Sequence, residues 1–564
     1  MMKRVFLMLY NRTSGINEAA FLLGAFTLVS QVLGLIRDRL LATYLGAGVH
    51  LDVYYAAFKI PDFLFVSVAT LASITVLLPY LSSKYGDGDD AHYKNARKFL
   101  DQVFTVLLGF LILVSIIIFI LMPWLAKLIA PGFTGEEIQT LVMLSRLMLL
   151  QPIIIGISNM LSSVTQMFKK FLVTALSPVM YNIGIIIGVL VLYPICGITG
   201  LAIGVVIGAV LHLAIQIPTL IQIGFLPRIT TTIHFSELKS IVRTSIPRTI
   251  GLSMSSFTAL ILTSIASTLD TGSISIFNLT NNMLNVPIGV VAISYSVASF
   301  PMLVKYFHDK EREKFTEYIL HAARKIIFWS VPITVLFIIL RAQIVRVILG
   351  SHSFTWNDTR LAAACLALFM IGLVAQSLVH LFVRGYYAAG NTKKPLFMNF
   401  LGEIITIGLA FVFLGMFKYF PGTLDFFSNI LRLDGVTNLS LLALPLAFSI
   451  GNIFNYFSLI LIFKKDFPEA VNFSIFKTTL ETITASLCMG VVTYGFLNFS
   501  APYINQGRFW GIFSQGLLSG IVGIVVFVIV MMLFKNKDMA DFLGTFKKKF
   551  WKANVIIDQT AIDN

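Results

Sequence analysis

Charged side chains make up 12% of this 564-residue chain, where a soluble domain carries about a quarter. A surface so poor in charge must face something other than water over much of its area. Cysteine is equally sparse: Cys196, Cys365 and Cys488 lie far apart, which excludes a disulfide framework and a cysteine-based metal site. The sequence has no Walker loop, no HExxH and no GxSxG, so neither ATP hydrolysis nor a motif-bearing hydrolase is indicated. Ten-residue stretches of alternating hydrophobicity are missing too, which argues against a membrane β-barrel.

What the chain does have is apolar length. Hydrophobic residues make up 57% of it and phenylalanine occurs 49 times. Runs such as "LLGFLILVSIIIFILMPWLAKLIA" and "GIVGIVVFVIVMMLF" reach or approach the ~20 residues that span a bilayer as a helix. Backbone groups in lipid must be satisfied within their own segment, so these runs predict helices. The expected fold class is an all-α polytopic membrane protein of about fourteen helices, at 18–45, 52–82, 98–127, 136–167, 171–194, 198–223, 237–269, 273–304, 315–349, 360–388, 394–418, 438–463, 475–498 and 509–534. The basic N-terminus lacks a long apolar stretch and a cleavage site, so no cleaved signal peptide is expected.

The net charge of +15 follows topology rather than nucleic acid. Alternate connections are basic: Lys3, Arg4 and Arg12 in the N-terminal tail, Lys84, Lys94, Arg97 and Lys98 after segment two, Lys169 and Lys170 after segment four, Lys464 and Lys465 after segment twelve. The intervening loops "GAGVHLD", "YPICGITG" and "DTGS" hold no lysine or arginine. Basic loops stay on the cytoplasmic side, near anionic lipid, so both termini are expected inside.

An internal repeat divides the chain. Pro178 precedes Asn182 by four residues, as Pro395 precedes Asn399, and both pairs are read as opening a helix. Pro79 corresponds to Pro301 near the ends of segments two and eight, and Pro61 to Pro287 inside them. The offsets are 217, 222 and 226 residues, nearly constant. Six helices is an even number, so the halves enter the membrane in the same sense and form a parallel pseudo-repeat. The expected divisions are an N-terminal lobe 1–235, a C-terminal lobe 236–466, a helix pair 467–535 and a basic cytoplasmic tail 536–564. Two such lobes suit a transporter with a central cavity.

Charges inside membrane helices are costly and usually face a cavity. Arg37, Asp38 and Arg39 form one cluster in segment one, either as a self-paired snorkelling group or as a contact for an anionic substrate. Asp52, just past the short outer loop, is positioned to pair with Arg37 in an outer gate. Lys59 precedes Pro61 and Asp62. Proline removes a backbone donor, so segment two is expected to bend or break there, with Lys59 as a substrate or gating contact. Arg248 follows Pro247 near the inner end of segment seven, as a cavity cation or an interfacial anchor. Asn399 and Glu403 share a face of segment eleven and offer hard oxygen ligands for a sodium ion or a proton, or a plain interhelical hydrogen bond. Gln376, His380 and Arg384 form a further polar stripe in segment ten.

The run "SQVLGLIRDRLLATYLGAGVHLDVYYAAFKIPDFLF", with "APGF" at 130–133, "LPRI" at 226–229 and "RGYYAAGNTKKP" at 384–395, resembles the MurJ/MviN family. The resemblance covers nearly the whole chain. It implies a lipid II flippase of the MOP exporter superfamily in the bacterial inner membrane. Such a protein moves an undecaprenyl-pyrophosphate-linked muropeptide from the inner to the outer leaflet. It also implies two lobes of six helices and a final pair that receives the lipid tail, with Arg37, Asp38, Asp52 and Lys59 among the polar cavity positions. Where family members carry arginine, this chain has Gln31 and Asn282; it also lacks their "LLRR" at Leu64, Phe65 and Val66, and their "EGAFS" around Thr70 and Leu71. Substrate binding is therefore assigned to Arg37, Asp38, Lys59, Arg248, Gln31 and Asn282, and gating to Asp52, Pro61 and Pro287. No organic cofactor is expected, with Na+ or H+ as the coupling ion. The expected partners are the lipid-linked precursor, membrane lipids and the cell-wall synthesis machinery. A flippase for O-antigen or capsule precursors, a small-molecule antiporter, a non-transporting scaffold and a membrane glycosyltransferase remain the competing readings.

Overall fold

Each apolar segment anticipated from the sequence is helical in the structure, a computed structural model that describes residues 16–68, 74–85, 90–468, 473–505 and 507–551. No strand occurs among the described residues. Among the described residues, eleven helices are long and apolar enough to cross a membrane, and Trp356–Ile371 with Leu373–Ala388 makes a twelfth if the bent pair is one span. The first two predicted segments fall outside that count. The second holds Asp52, Lys59 and Asp62 within Val49–Ser67, a charge density that an apolar span does not carry.

The boundaries hold where hydropathy is decisive and shift where a backbone device intervenes. The expected break at Pro61 is not there. Val49–Ser67 runs unbroken through the proline, and a separate helix, Ile74–Tyr85, follows. Thr70 and Leu71 lie outside the described residues. Pro287 does end regular helix: Ser273–Pro287 passes into a π turn, Ile288–Ile293, before Ser294–His308. The repeat partners Pro178 and Pro395 also differ. Pro395 sits in the first turn of Lys393–Tyr419, whereas Pro178 lies inside Phe171–Ile187.

The chain divides into two compact units. The first comprises 1–286, 348–372 and 390–458, and the second 287–347, 373–389 and 459–564. In the first, Phe171–Ile187 and Ile198–Ala214 pack closely because Gly184 and Gly188 face Gly204 and Gly208. A Cβ at any of the four would fall on backbone of the opposite helix or its neighbour. Small residues one turn apart let two membrane helices approach to van der Waals contact, which replaces the hydrophobic drive that lipid cannot supply.

In the second unit Arg312–Ile339 packs on Phe473–Ser500, and Phe328, Met489, Phe527 and Met531 form its core. The basic tail, which held none of the fourteen expected helices, contributes one at Lys537–Trp551. Asn536 caps it by accepting from the backbone N–H of Asp538 (2.9 Å) and Met539 (3.2 Å), while its amide donates to Glu481 (2.6 Å). Asp538, 1% exposed, forms ion pairs with Arg324 (3.1 Å) and Lys325 (2.9 Å). Met539 joins the core and Phe542 meets Trp329 edge-on.

Gly204→Leu is expected to overpack the helix pair, at a cost of about 1–3 kcal/mol, and to lower the melting temperature of the detergent-purified protein. Gly408→Ala, where an added Cβ meets open space, is the control and should leave melting unchanged.

Candidate functional site

The site is built in the first unit from two helices rich in charge and one rich in amides. Ile16–Leu45 supplies Gln31, Arg37 and Asp38, and Val49–Ser67 supplies Asp52 and Lys59. Opposite them, Ser273–Pro287 presents Ser275, Asn278, Asn282 and Asn285 at intervals of three, four and three residues. That spacing keeps all four on one helix face.

Asp38 is the hub. Arg37 donates to Asp38 Oδ1 through Nε (2.9 Å) and Nη2 (2.8 Å), and Asn282 donates to Oδ2 (3.0 Å). Arg37 Nη1 donates to Asn182 Oδ1 (3.2 Å). Asn182 in turn donates to the hydroxyl of Ser30 (3.1 Å) and the carbonyl of Pro178 (3.2 Å). These groups line a cavity of about 210 Å³ together with Gln31 and Asn285. Gln31 Oε1 is buried without a hydrogen-bond partner. The cavity therefore holds one cation neutralised by its own neighbour, several amide donors and one orphaned acceptor.

Lys59 and Asp52 act further along the same amide stripe. Lys59 Nζ donates to Asn278 Oδ1 at 2.7 Å, and Asn278 is itself held by the carbonyl of Ile274. Asp52 accepts from the backbone N–H of Gly272 (2.6 Å) and Ser275 (2.7 Å), and from the Ser275 hydroxyl (2.5 Å). A carboxylate at a helix N-terminus satisfies donors that have no partner in their own helix and complements the helix dipole. The expected Asp52–Arg37 pair is thus replaced: the nearby helix start offers Asp52 three donors, and Arg37 is taken by Asp38 and Asn182.

Around Asp52 the loops close on one another. Gly272 adopts φ +91° and lies against the carbonyl of Ala47, where a side chain would collide. Gly46, at φ +66°, lies equally close to the backbone of Ser353. Gly132 donates its N–H to the hydroxyl of Ser267 (3.3 Å), and Ser351 donates to the carbonyl of Ala42 (3.2 Å). This end of the first unit is shut.

The remaining sequence candidates separate from this cluster. The side chain of Arg248 lies outside the described residues. Pro61 is buried within its unbroken helix. Asn399 and Glu403 face a different neighbourhood: Asn399 Oδ1 accepts from Asn455 at 3.1 Å, and Glu403 lies beside Thr258. In the second unit Arg384 donates to the carbonyl of Ile293 in the π turn (3.3 Å). Sequence reasoning missed Asn182, Ser275, Asn278 and Asn285 as site residues. The polar three-four-three spacing in "SISIFNLTNNMLN" was the signal that could have found three of them.

A family model described as "Lipid II flippase MurJ" matches residues 41–514. The chain is 28% identical over 401 residues to a probable lipid II flippase MurJ of Buchnera aphidicola, covering 69% of this chain and 77% of the relative. It is 29% identical over 402 residues to a probable lipid II flippase MurJ of Haemophilus influenzae, covering 68% and 78%. Among solved structures it resembles a lipid II flippase MurJ in an inward closed conformation, with a TM-score of 0.73, 25% identity, and coverage of 91% of this chain and 98% of the other. An inward-facing multidrug resistance MATE transporter of the MOP superfamily shares the fold at 15% identity and a TM-score of 0.63, covering 78% and 95%.

With the native cysteines replaced, Asp52→Cys combined with Ser275→Cys is expected to form a disulfide on mild oxidation, read as a mobility shift after cleavage between the two positions. Complementation of growth should be lost on oxidation and return with reductant. Full growth with the bridge intact would show that this end does not need to open.

Proposed function

The chain belongs to the lipid II flippase MurJ family, and from that premise we propose that it carries lipid II from the inner to the outer leaflet of the bacterial inner membrane by alternating access. The observation that carries this reading is the Arg37–Asp38 pair, set with amide donors in a cavity beside a shut end. An entering pyrophosphate competes with Asp38 for Arg37. Arg37 exchanges one anionic partner for another, and Asp38 retains Asn282 as a donor. Lys59, held in this state by a neutral amide, is the second cation available to the head group. Opening requires Asp52 to leave the start of the Ser273–Pro287 helix.

Residues 1–235 and 236–466 act as the two lobes, and 467–535 receives the lipid tail. Pro287, where regular helix gives way to a π turn, serves as the hinge. Pro61 interrupts nothing in this state. Both termini lie on the cytoplasmic side, in keeping with the basic alternate loops. The chain works as a transporter rather than an enzyme, and cell-wall synthesis enzymes are its natural neighbours. One charge crossing 100 mV supplies ~2.3 kcal/mol, a bias of ~50-fold, so the membrane potential is a sufficient drive.

A sodium ion or proton at Asn399 and Glu403 is the proposed coupling site. Asn455 Oδ1, against that helix face, is buried without a hydrogen-bond partner, and the Thr258 hydroxyl lies beside Glu403. A buried oxygen left unsatisfied beside a carboxylate suits a hard cation. Bound there, the ion would neutralise Glu403; Asn399 and Asn455 would supply amide oxygens and Thr258 its hydroxyl.

One observation favours a second reading. Gln31 lines the cavity and its buried side-chain oxygen is an unpaired acceptor, and an acceptor suits a sugar hydroxyl rather than a phosphate. A flippase for another lipid-linked oligosaccharide fits that feature.

Depletion should leave lipid II on the inner leaflet, scored by its accessibility to an externally added muropeptide-cleaving toxin. Arg37→Ala and Lys59→Ala should each slow flipping by about 10–100-fold, the loss of one charge-assisted contact of ~1.5–3 kcal/mol. Normal lipid II export in depleted cells that have no other flippase would refute the lipid II assignment. Glu403→Gln should abolish any sodium or proton dependence of transport in proteoliposomes; dependence that survives the substitution places the coupling ion elsewhere.

A further inference from the structure

A second cationic site lies apart from the cavity of Arg37 and shares no residue with it. The helices Asp90–Ile129 and Gly135–Met148 bound a groove of about 690 Å³ in the first unit. Its walls include Phe119, Val142, Met143 and Leu147; its polar members are Lys127, Gln139 and Arg146. No carboxylate lines it.

Arg146 is fixed there by a consequence of Pro123. A proline inside a helix has no N–H to give to the carbonyl four residues back. In Asp90–Ile129 that carbonyl belongs to Phe119, and Arg146 Nε donates to it at 3.1 Å, with the guanidinium 4.4 Å from the Phe119 ring centre. One of the five N–H donors of Arg146 is used in this way. Its terminal nitrogens have no protein partner among the described residues. A guanidinium held in an apolar groove with free donors calls for an anion.

The depth of the groove identifies the anion. Trp124 is largely exposed, with exposed Lys127 one turn further on. Exposed tryptophan and lysine mark the level of the lipid head groups. Phe119 precedes Trp124 by five residues, which puts its carbonyl ~7.5 Å deeper at 1.5 Å per residue. Arg146 thus sits just beneath the head-group level, where a lipid phosphate and its glycerol esters lie. Lys127 stands at the rim, and the apolar walls continue alongside.

We propose that this groove binds an anionic phospholipid, with the phosphate on the terminal nitrogens of Arg146, the head group beside Lys127, and an acyl chain along Phe119, Val142, Met143 and Leu147. Two cations with no opposing carboxylate select an anionic lipid over a zwitterionic one. The site is structural to the membrane environment and separate from the transported molecule.

The test is native mass spectrometry of the full-length protein in detergent, titrated with phosphatidylglycerol or phosphatidylcholine. The wild type should retain phosphatidylglycerol at least five-fold better. Lys127→Gln leaves the Phe119 carbonyl satisfied and should reduce that preference at least two-fold with unchanged melting. Arg146→Lys keeps the charge but loses the fork, and should reduce it further. Equal retention of both lipids by the wild type, or an unchanged preference in Lys127→Gln and Arg146→Lys, overturns the proposal. So does displacement of the phosphatidylglycerol by stoichiometric lipid II in an Arg37→Ala variant, which would assign the groove to substrate.

Discussion

A polar group inside a bilayer has no water to fall back on, so its partner must come from the protein or from whatever the protein binds. That constraint organises the whole site. Asp38 shows it most plainly: both carboxylate oxygens are taken, one by Arg37 and the other by Asn282. Arg37 spends its third contact on Asn182, which is anchored to Ser30. Arg37 is thereby balanced within the protein, and its charge is available to another anion only by exchange. A transporter of an anionic lipid needs this property. A bare arginine would hold the head group too tightly or would be too costly to keep in the membrane.

The same constraint shapes the shut end. Asp52 satisfies three donors at the start of the Ser273–Pro287 helix, and Lys59 meets Asn278 one turn further along it. Because those partners lie on one face with Asn282, the contacts of Asp52 and Lys59 and those of the cavity share a single helix. Movement of that helix alters both together. Gly46, Gly132 and Gly272 let the surrounding loops approach without side chains in the way.

The fold was largely legible because hydropathy is read one residue at a time: a long apolar run predicts a helix whatever it packs against. Arg37, Asp38 and Lys59 were legible for the converse reason, since charge is conspicuous in such a run. Partners were not. Asp52 looked like a mate for Arg37 by nearness in the sequence, yet its donors lie some 220 residues away. Ser275 and Asn278 carry no charge and so did not stand out in an apolar run. Pro61 was expected to bend or interrupt its helix; it does not interrupt it, because proline weakens a helix whose continuity packing can still preserve. The helix at Lys537–Trp551 was hidden by its lysines; Met539, Phe542 and Leu543 are the apolar face that docks it.

The amides at Gln31 and Asn282, where the family resemblance implies arginine, have a physical consequence. Asn282 gives Asp38 a donor without a charge, so Asp38 continues to neutralise Arg37 rather than dividing its field between two cations. An arginine at that position would bring a second positive charge to the same carboxylate and leave the empty cavity with net charge, at a cost that only a bound anion offsets. With the amide, Arg37 and Asp38 balance one another, and in the proposed flippase a head group would be held by directional hydrogen bonds around one principal cation. The loss of charge therefore shifts recognition from attraction at a distance toward geometry at contact. That shift gives weight to the orphaned acceptor of Gln31: a hydroxyl can donate to it and an ionised phosphate oxygen cannot, so under the proposed function it would favour head groups by their sugar hydroxyls.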